Sequence, residues 1–380
     1  MNPCGQRPRV RETVYSAPLQ VVHKVAESLQ TFLQRGLDGA YPLEVMRPKL
    51  AEVALRADVS EATVSRVLNA RPGVAPGTRR KVLDVLSDLG YRDVPEKAAS
   101  SGVVGIVTPE LENPIFPLLA QTIESRLAHH GMLSVVCSST AETVHEQDFL
   151  DHLTRINAAG VVVINGRYAM PDVGFSPYRE LWQQRTPIVL VNGLHQRAPL
   201  PAVAIDLATA AAMGVDHLAT LGHDRIGLLI GPRRYSSALA MIDGFERGLA
   251  ERGFDGDGGL VSETLFTFEG GQAGMATLLE GGATGIIAGS DLMALGAIAA
   301  VRSWGASVPE DVSVIGFDGT PAMAFTDPPL TTLRQPVGRM AAAIATMLVA
   351  QMNGDRQVQT QVFRPELVVG QTIAPAPARV

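Results

Sequence analysis

Between residues 103 and 318 the chain alternates short, almost wholly apolar runs with longer segments of helical spacing. VVGIVTP (103–109), LSVVCSS (133–139), GVVVIN (160–165), PIVLVN (187–192) and AVAID (202–206) read as strands. RIGLLIG (225–231), TLFTF (264–268), GIIAG (285–289) and VSVIGFD (312–318) repeat the pattern. Helices are predicted between these runs, the first from about Ile115 to His129. Continuous apolar strands divided by amphipathic helices indicate parallel sheets covered on both faces. The alternation runs twice, which predicts an α/β body of two lobes with a cleft between them. Ligands of such sheets bind beyond the carboxyl ends of the strands. Asn192, Asp206, Phe266, Ser290 and Asp318 fall at or near such ends.

Residues 50–69, LAEVALRADVSEATVSRVLN, follow another pattern. Leu50, Val53, Ala54 and Ala57 form one face of a short helix. Asp58 stands at a sharp turn, where its side chain tolerates a left-handed backbone. Val59 plugs that turn. Ser60 is suited to cap a second helix, and Glu61 follows in the first turn, where the helix dipole favours an acid. Val64, Val67 and Leu68 make the buried stripe of this helix, and Ala54 is small enough to let the two helices cross closely. Glu61, Ala62, Thr63, Ser65, Arg66 and Asn69 are left on the outer side. A third helix is expected from about Pro76 to Gly90, with Val82, Val85, Leu86 and Leu89 packed under the other two. An ordinary helical hairpin with a solvated outer face is the plain alternative.

The flanks decide between them. RPKLAEVALRADVSEATVSRVLNARPGVAPGTRRKVLDVLSDLGYR (47–92) resembles the DNA-binding headpiece of the lactose-repressor family. The shared pattern is helix, turn, recognition helix, an Asn-x-x-Pro-x-Val loop, and a third helix ending in Leu-Gly-Tyr. VVGIVTPELENPIF, AVAIDLATAAAMGVDHLATLGHDRIGLLIGP, GSDLMALGAIAAVRSWGASVPEDVSVIGFDGTPAMA and DPPLTTLRQPVGRMA look like that family's ligand-sensing body, in the family's order. The resemblance runs from Met46 to Pro375. It implies an N-terminal all-α helix-turn-helix headpiece on a two-lobed body of the periplasmic-binding-protein type. It also implies three crossovers between the lobes, placed near Ala198–Leu200, Gln335–Pro336 and Arg364–Pro365. The expected layout is an extension over 1–45, a headpiece over 46–92 and a linker over 93–101. A first lobe follows from 102–199 with 336–364, a second from 200–335 with 365–375, and a tail over 376–380.

The resemblance assigns roles. Glu61 and Ala62 stand where the family reads bases; Glu accepts from cytosine N4, and Ala touches a thymine methyl. Arg66 reaches a guanine or a phosphate. Ser60, Thr63, Ser65, Asn69 and Arg79 hold backbone phosphates and set register. In the cleft, Asp318 resembles the acid that bonds ligand hydroxyls or amines, although a turn-capping role is the bland reading. Phe266 and Phe116 resemble aromatic faces for the ligand, with core packing as the alternative. Asn192 and Ser237 resemble polar cleft residues. Asp291 is expected to cap the next helix. Two positions depart from the family: Met241 replaces a common Arg, and Ser290 a common Asn. Losing a guanidinium and an amide removes several directional donors. The expected effector is therefore not a typical simple sugar: it is less polar, or it is held from other directions, by Arg234 or Tyr235.

Charge divides unevenly. The chain totals −6, whereas residues 47–92 hold nine Lys or Arg and five Asp or Glu, a net of +4 that leaves −10 elsewhere. A basic headpiece on an acidic body suits a protein that touches nucleic acid at one end. Cys4 and Cys137 suggest neither a zinc site nor a disulfide framework, in keeping with a cytoplasmic chain. Cys137 reads as a small core residue. No apolar run reaches membrane-spanning length, and no signal-peptide pattern opens the chain. A solute-binding protein of a transporter would share the body but not the headpiece. No phosphate-cradling, dinucleotide or nucleophile-elbow motif argues for an enzyme, and neither cofactor nor metal is expected.

The implied assembly is a homodimer on a pseudo-palindromic double-stranded operator, controlled by a small-molecule effector and acting as a repressor. A constitutive regulator with an inactive cleft is the alternative. The join at 92–102, RDVPEKAASSG, is shorter than the family's hinge segment, lacks a Leu and carries Pro95. A hinge helix that is truncated or absent, with no minor-groove leucine wedge, is therefore expected. The first 45 residues begin Arg- and Pro-rich and disordered in composition. Residues 19–37 then follow an amphipathic helical pattern that could pack on the headpiece or a partner. Translation from Met46 is the plainer account of this stretch.

Overall fold

The computed structural model describes residues 50–68, 74–89, 102–139, 145–173, 175–193, 200–254 and 259–378. The expectations for residues 1–45, for Asn69 and for the linker over 93–101 lie outside these residues. The chain divides into two compact units, Met1–Lys97 and Ala98–Val380.

The first unit holds three helices: α1 (Leu50–Ala57), α2 (Glu61–Leu68) and α3 (Pro76–Asp88). Val53, Val64, Val67, Val82 and Leu86 form its core, with Val59, Val85 and Leu89 partly buried against it. Asp58 adopts the left-handed backbone that the turn needs, with φ 55°. Its neighbour Val59 donates its N–H to Ala54 O at 3.0 Å, closing the turn.

The second unit is built on two six-stranded sheets. The first contains β1 (Val103–Thr108), β2 (Leu133–Ser138), β3 (Gly160–Ile164), β4 (Ile188–Val191), β5 (Ala202–Ile205) and β11 (Thr360–Phe363), in the order β11-β5-β4-β3-β1-β2. All its pairings are parallel. On one face pack α4 (Ile115–Ala128) and α11 (Val337–Met352), and on the other α5 (Glu146–Arg155) and α6 (Ser176–Gln183). β3, GVVVI, is buried at every position because both faces of its sheet are covered. Cys137 is buried in this lobe.

The second sheet contains β6 (Ile226–Ile230), β7 (Gly259–Glu263), β8 (Gly285–Ala288), β9 (Ser313–Asp318), β10 (Thr331–Arg334) and β12 (Glu366–Val368), in the order β12-β10-β9-β8-β6-β7. Only β12 runs antiparallel. It is covered by α7 (Leu207–Thr220) and α8 (Ser236–Glu251) on one face. The other carries α9 (Phe268–Glu280) and α10 (Asp291–Ser303).

Two expectations are corrected. The boundary at 199/200 moves to Asp206, because Ala202–Ile205 pairs with both β4 and β11 and is interior to the first sheet. Asp206 then caps α7, accepting from Thr209 N at 2.9 Å, so the chain changes lobe at that cap. The other changes of lobe lie between β10 and α11 and between β11 and β12. TLFTF (264–268) is not a strand. The edge strand is the preceding Gly259–Glu263, and Thr267 caps α9 by accepting from Gly270 N at 3.0 Å. The tail is tied down as far as Ala376, whose N–H donates to Leu221 O at 2.9 Å.

Candidate functional site

In the first unit the outer face of α2 is polar and free of core contacts. Glu61, Ala62 and Arg66 are exposed, and Thr63 and Ser65 are half-buried. Positions 61, 62, 65 and 66 share one side of the helix because one turn separates the two pairs. Ser60 caps α2: its Oγ accepts from Thr63 N at 3.2 Å and lies 2.9 Å from Thr63 Oγ1. Two hydroxyls are thus fixed at a helix N-terminus, which suits an anion such as a phosphate. Arg79 lies on α3.

In the second unit a cavity of about 390 Å³ opens between the lobes, within the range of roughly 300–1,000 Å³ usual for small-molecule sites. It lies at the carboxyl ends of the strands. Pro109, Ser139, Asn165 and Asn192 follow β1 to β4, Pro232 and Phe266 follow β6 and β7, and Asp318 ends β9. Phe116, Asn192, Ser237, Met241, Phe266, Ser290 and Asp318 all line it. Arg234 and Tyr235 line it too, the guanidinium 5.1 Å from the Tyr235 ring centre.

These residues differ in how free they are. Ser290 is committed: its Oγ caps α10 by accepting from Met293 N at 3.2 Å. Asp291, expected to be that cap, instead accepts from Thr320 N at 3.1 Å and from Thr332 Oγ1 at 2.6 Å. The capping position needs an extended backbone, and Ser290 has it (φ −157°, ψ 163°). Asn192 sits at φ 60° and its Oδ1 accepts from Ile205 N at 3.1 Å, tying two strand ends together. Met241 is in the second-lobe core and presents a thioether to the cavity. Phe266 lies against Gly231, where a Cβ would fall 2.0 Å from the ring. That glycine is what lets the aromatic face lie flat at the cavity edge.

Asp318 is the most unusual group. Its backbone has φ 114° and its side chain is buried. Oδ1 accepts from Gln335 Nε2 at 2.8 Å, while Oδ2 has no partner. Gln335 N also donates to Asp318 O at 3.0 Å, so the crossover into α11 is bonded twice to this residue. Burial, and then the charge on Asp291, hold the Asp318 carboxyl well above the usual range. Burial pushes Asp291 from an ordinary 3.8 to about 6, against the hydrogen bonds from Thr332 and Thr320. Glu110, also on the cavity, is raised by burial and then by Glu112.

Not singled out in the sequence were Glu110, Asn113, Asn165 and Gln335, all on the cavity wall. Gln335 was readable only as part of a crossover. Crossover strands border the cleft by construction, so a polar residue immediately before Pro336 was a candidate on that ground. Asn165 follows a strand just as Asn192 does, and the same rule would have found it.

Known proteins match these features. Residues 49–93 match the family model described as bacterial regulatory proteins, lacI family, and residues 215–373 the periplasmic binding protein-like domain. The chain is 43% identical over 340 residues to the HTH-type transcriptional regulator MalR of Streptomyces coelicolor, covering 87% of this chain and 98% of that protein. Among solved structures it resembles the transcriptional regulator CelR in complex with cellobiose, with TM-score 0.64, 27% identity and coverage of 86% and 100%. It also resembles the lac repressor dimer bound to operator and the anti-inducer ONPF, with TM-score 0.63, 25% identity and coverage of 86% and 99%. With a headpiece whose second helix is capped and exposes a polar face, and a two-lobed body around a ligand-sized cavity, the chain belongs to the lacI family of DNA-binding transcriptional regulators.

Proposed function

We propose that the regulator is a repressor, that two copies of this chain read a pseudo-palindromic operator, and that an uncharged saccharide of more than one ring controls them. One observation carries the effector reading. Asn165 Oδ1, Asp318 Oδ2 and Gln335 Oε1 are buried polar atoms on the cavity wall with no partner. A buried polar atom left unpaired costs roughly 1–3 kcal/mol, so the favoured ligand brings hydroxyls, which donate to the two amide oxygens and donate to or accept from the Asp318 carboxyl. Phe116, Phe266 and Tyr235 add apolar ring faces around them. Glu110, with Glu112 beside it, makes the first-lobe wall acidic, which disfavours phosphorylated or carboxylated sugars. Met241 leaves no guanidinium where a monosaccharide would need a clamp. The cellobiose held by the similar regulator CelR supports the same ligand class.

On DNA, Glu61, Ala62 and Arg66 read base edges while Ser60, Thr63, Ser65, Asn69 and Arg79 hold phosphates. Effector occupancy shifts operator affinity through a coupling of about 1–3 kcal/mol. Reaching the operator places the protein in the cytoplasm; among the described residues no helix is long and apolar enough to cross a membrane. Phe325, 87% exposed after β9, and Leu133, 71% exposed on edge strand β2, offer apolar surface to the second copy.

Thermal-shift measurements across mono-, di- and trisaccharides and their phosphates test the effector, followed by operator gel shifts with each stabilising sugar. A disaccharide or trisaccharide is expected to stabilise the protein and alter operator binding, and phosphates to do neither. Tight binding of a simple monosaccharide overturns this reading. On the DNA side, Glu61→Ala changes base preference by about 1–3 kcal/mol at one position, whereas Arg79→Ala weakens all operators alike. Equal losses on every operator for both variants contradict the assignment.

A further inference from the structure

Behind the first-lobe wall of the cavity lies a carboxylate that does not line the cavity itself. Glu146 opens α5 and is buried. Its Oε2 accepts from the Arg167 N–H at 2.9 Å, and its Oε1 accepts from the Tyr178 hydroxyl. The Tyr178 oxygen in turn accepts from the Tyr168 N–H at 3.3 Å. The Tyr168 hydroxyl shares its hydrogen between the Val191 and Val163 carbonyls, at 2.7 and 2.9 Å, and accepts from Val191 N at 3.0 Å. The two tyrosine rings meet edge to face with centroids 5.2 Å apart. At Gly166 an added Cβ would fall 2.8 Å from Glu146 Oε2 and 2.6 Å from Val163, so a glycine here leaves the carboxylate its route to the turn.

The segment held this way is the one that faces the effector. Arg167–Ala169 is a single 3-10 turn directly after β3. Asn165, at φ 46°, precedes it and carries one of the unpaired cavity acceptors. Ala169 ends it and also lines the cavity. Three elements therefore converge on one acid: the start of α5, the turn, and α6 through Tyr178.

The protonation state of that acid matters chemically. Arg167 N–H and Tyr178 O–H are both donors, and only an ionised carboxylate accepts from both while leaving the Tyr178 oxygen to Tyr168. A protonated acid or a glutamine must present a donor to one of them. We propose that Glu146 is a positioning residue whose carboxylate fixes the Asn165–Ala169 segment and so sets which saccharides the first-lobe wall accepts. The selectivity half rests on the saccharide reading of the cavity; the positioning half does not.

The titratable and charged groups facing Glu146 are Tyr178 and Tyr168 and the Arg167 guanidinium. Burial raises Glu146 above its ordinary value, outweighing the Tyr178 and Arg167 hydrogen bonds and the Arg167 charge. A raised value in the folded state means that ionisation costs global stability, and that acidification removes this cost.

Amide hydrogen exchange on the full chain tests this, with wild type, Glu146→Gln and Tyr178→Phe compared at pH 7. Wild type is expected to protect the Arg167 and Tyr168 amides. Glu146→Gln should show about tenfold less protection there. Tyr178→Phe should move the same way by less, and it carries the test should Glu146→Gln not fold. Operator release by cellobiose and by maltotriose is the second measurement, and the ratio of their midpoints should change in both variants. Wild-type protection at these amides in both variants would overturn the proposal. So would an unchanged sugar ratio beside loosened amides. Should neither sugar move the wild-type protein, the saccharide reading fails and the exchange data alone decide on Glu146.

Discussion

The second-lobe wall of the cavity is backed by Asp291 and the first-lobe wall by Glu146, both buried acids in the first turn of a helix, and they are held differently. Asp291 is wrapped by the polypeptide it supports: Thr320 gives its N–H and hydroxyl, Thr332 its hydroxyl and Gly319 its N–H. These donors come from β10 and the loop before it, whose backbone is set by the sheet. Glu146 depends on one backbone N–H and on a phenol 32 residues away. The second wall is therefore preformed, with Asp318 and Ser290 standing on a rigid floor. The first wall is hung from a side chain, and a change in that one contact can move it. A cleft with one fixed and one adjustable wall can keep its ligand chemistry while its selectivity varies.

The largest expected effect lies on the rigid side. Asp291→Ala strands the Thr332 hydroxyl and the Thr320 N–H in the interior and should cost about 3 kcal/mol in urea unfolding at pH 7. The sign of its pH dependence follows from burial. Asp291 has a folded value of about 6 against 3.8 without the fold, so ionisation works against folding. That penalty is complete above pH 6 and absent below pH 3.8, so wild type sheds it on acidification and the alanine variant has none to shed. The gap between the two should widen from pH 7 to pH 4. A narrowing gap, or a loss under about 1 kcal/mol, would mean that Asp291 does not hold the wall.

A smaller effect is expected where the rigid wall meets the ligand. In Gly231→Ala the new methyl would lie 2.0 Å from the Phe266 ring, so the ring must swing away. Overpacking of this kind costs about 1–3 kcal/mol. Loss of the aromatic face should weaken saccharide binding in calorimetry at least tenfold and leave operator binding in the absence of sugar unchanged. Unaltered sugar affinity would remove Phe266 from the effector site and leave it as packing.

These two walls were not equally readable in the sequence. Asp318 and Ser290 fall at or after strand ends in stretches that resemble a known family, and the spacing around Ser60 marked the start of the second helix to the residue. Local spacing carries such features because partners lie within one turn of each other. Glu146 had no such local cue. Its partners are 21 and 32 residues away, and an acid opening an amphipathic helix looks like any dipole-matched surface residue. Asp291 was visible as a helix start but was given the cap, because both Ser and Asp cap well and only the extended backbone at Ser290 chooses between them. TLFTF alternates like a strand, yet its Phe266 faces the cavity and Thr267 caps a helix. The β5 boundary was missed because AVAI is equally apolar in either sheet, and only pairing with β11, far along the chain, assigns it.

A third acid sharpens the comparison by its exposure. Glu366 in β12 accepts from Arg334 of its own sheet at 2.8 Å and from Arg339 on the first-lobe helix α11 at 3.2 Å. It links the second-lobe sheet to the first-lobe helix α11, and Arg334, by hydrogen bond and then by charge, holds its carboxyl below the usual range. All three side chains are about half exposed, so water and salt screen the attraction. Depression of its value means that its contribution is present at neutral pH and lost on acidification, the reverse of Asp291. Arg339→Ala should therefore change unfolding in urea by less than about 0.5 kcal/mol at physiological salt and leave the sugar response intact. A sugar midpoint that shifts severalfold in this variant would mean that the lobes are braced from behind. The contrast between a fixed and an adjustable cavity wall would then be secondary to the hinge.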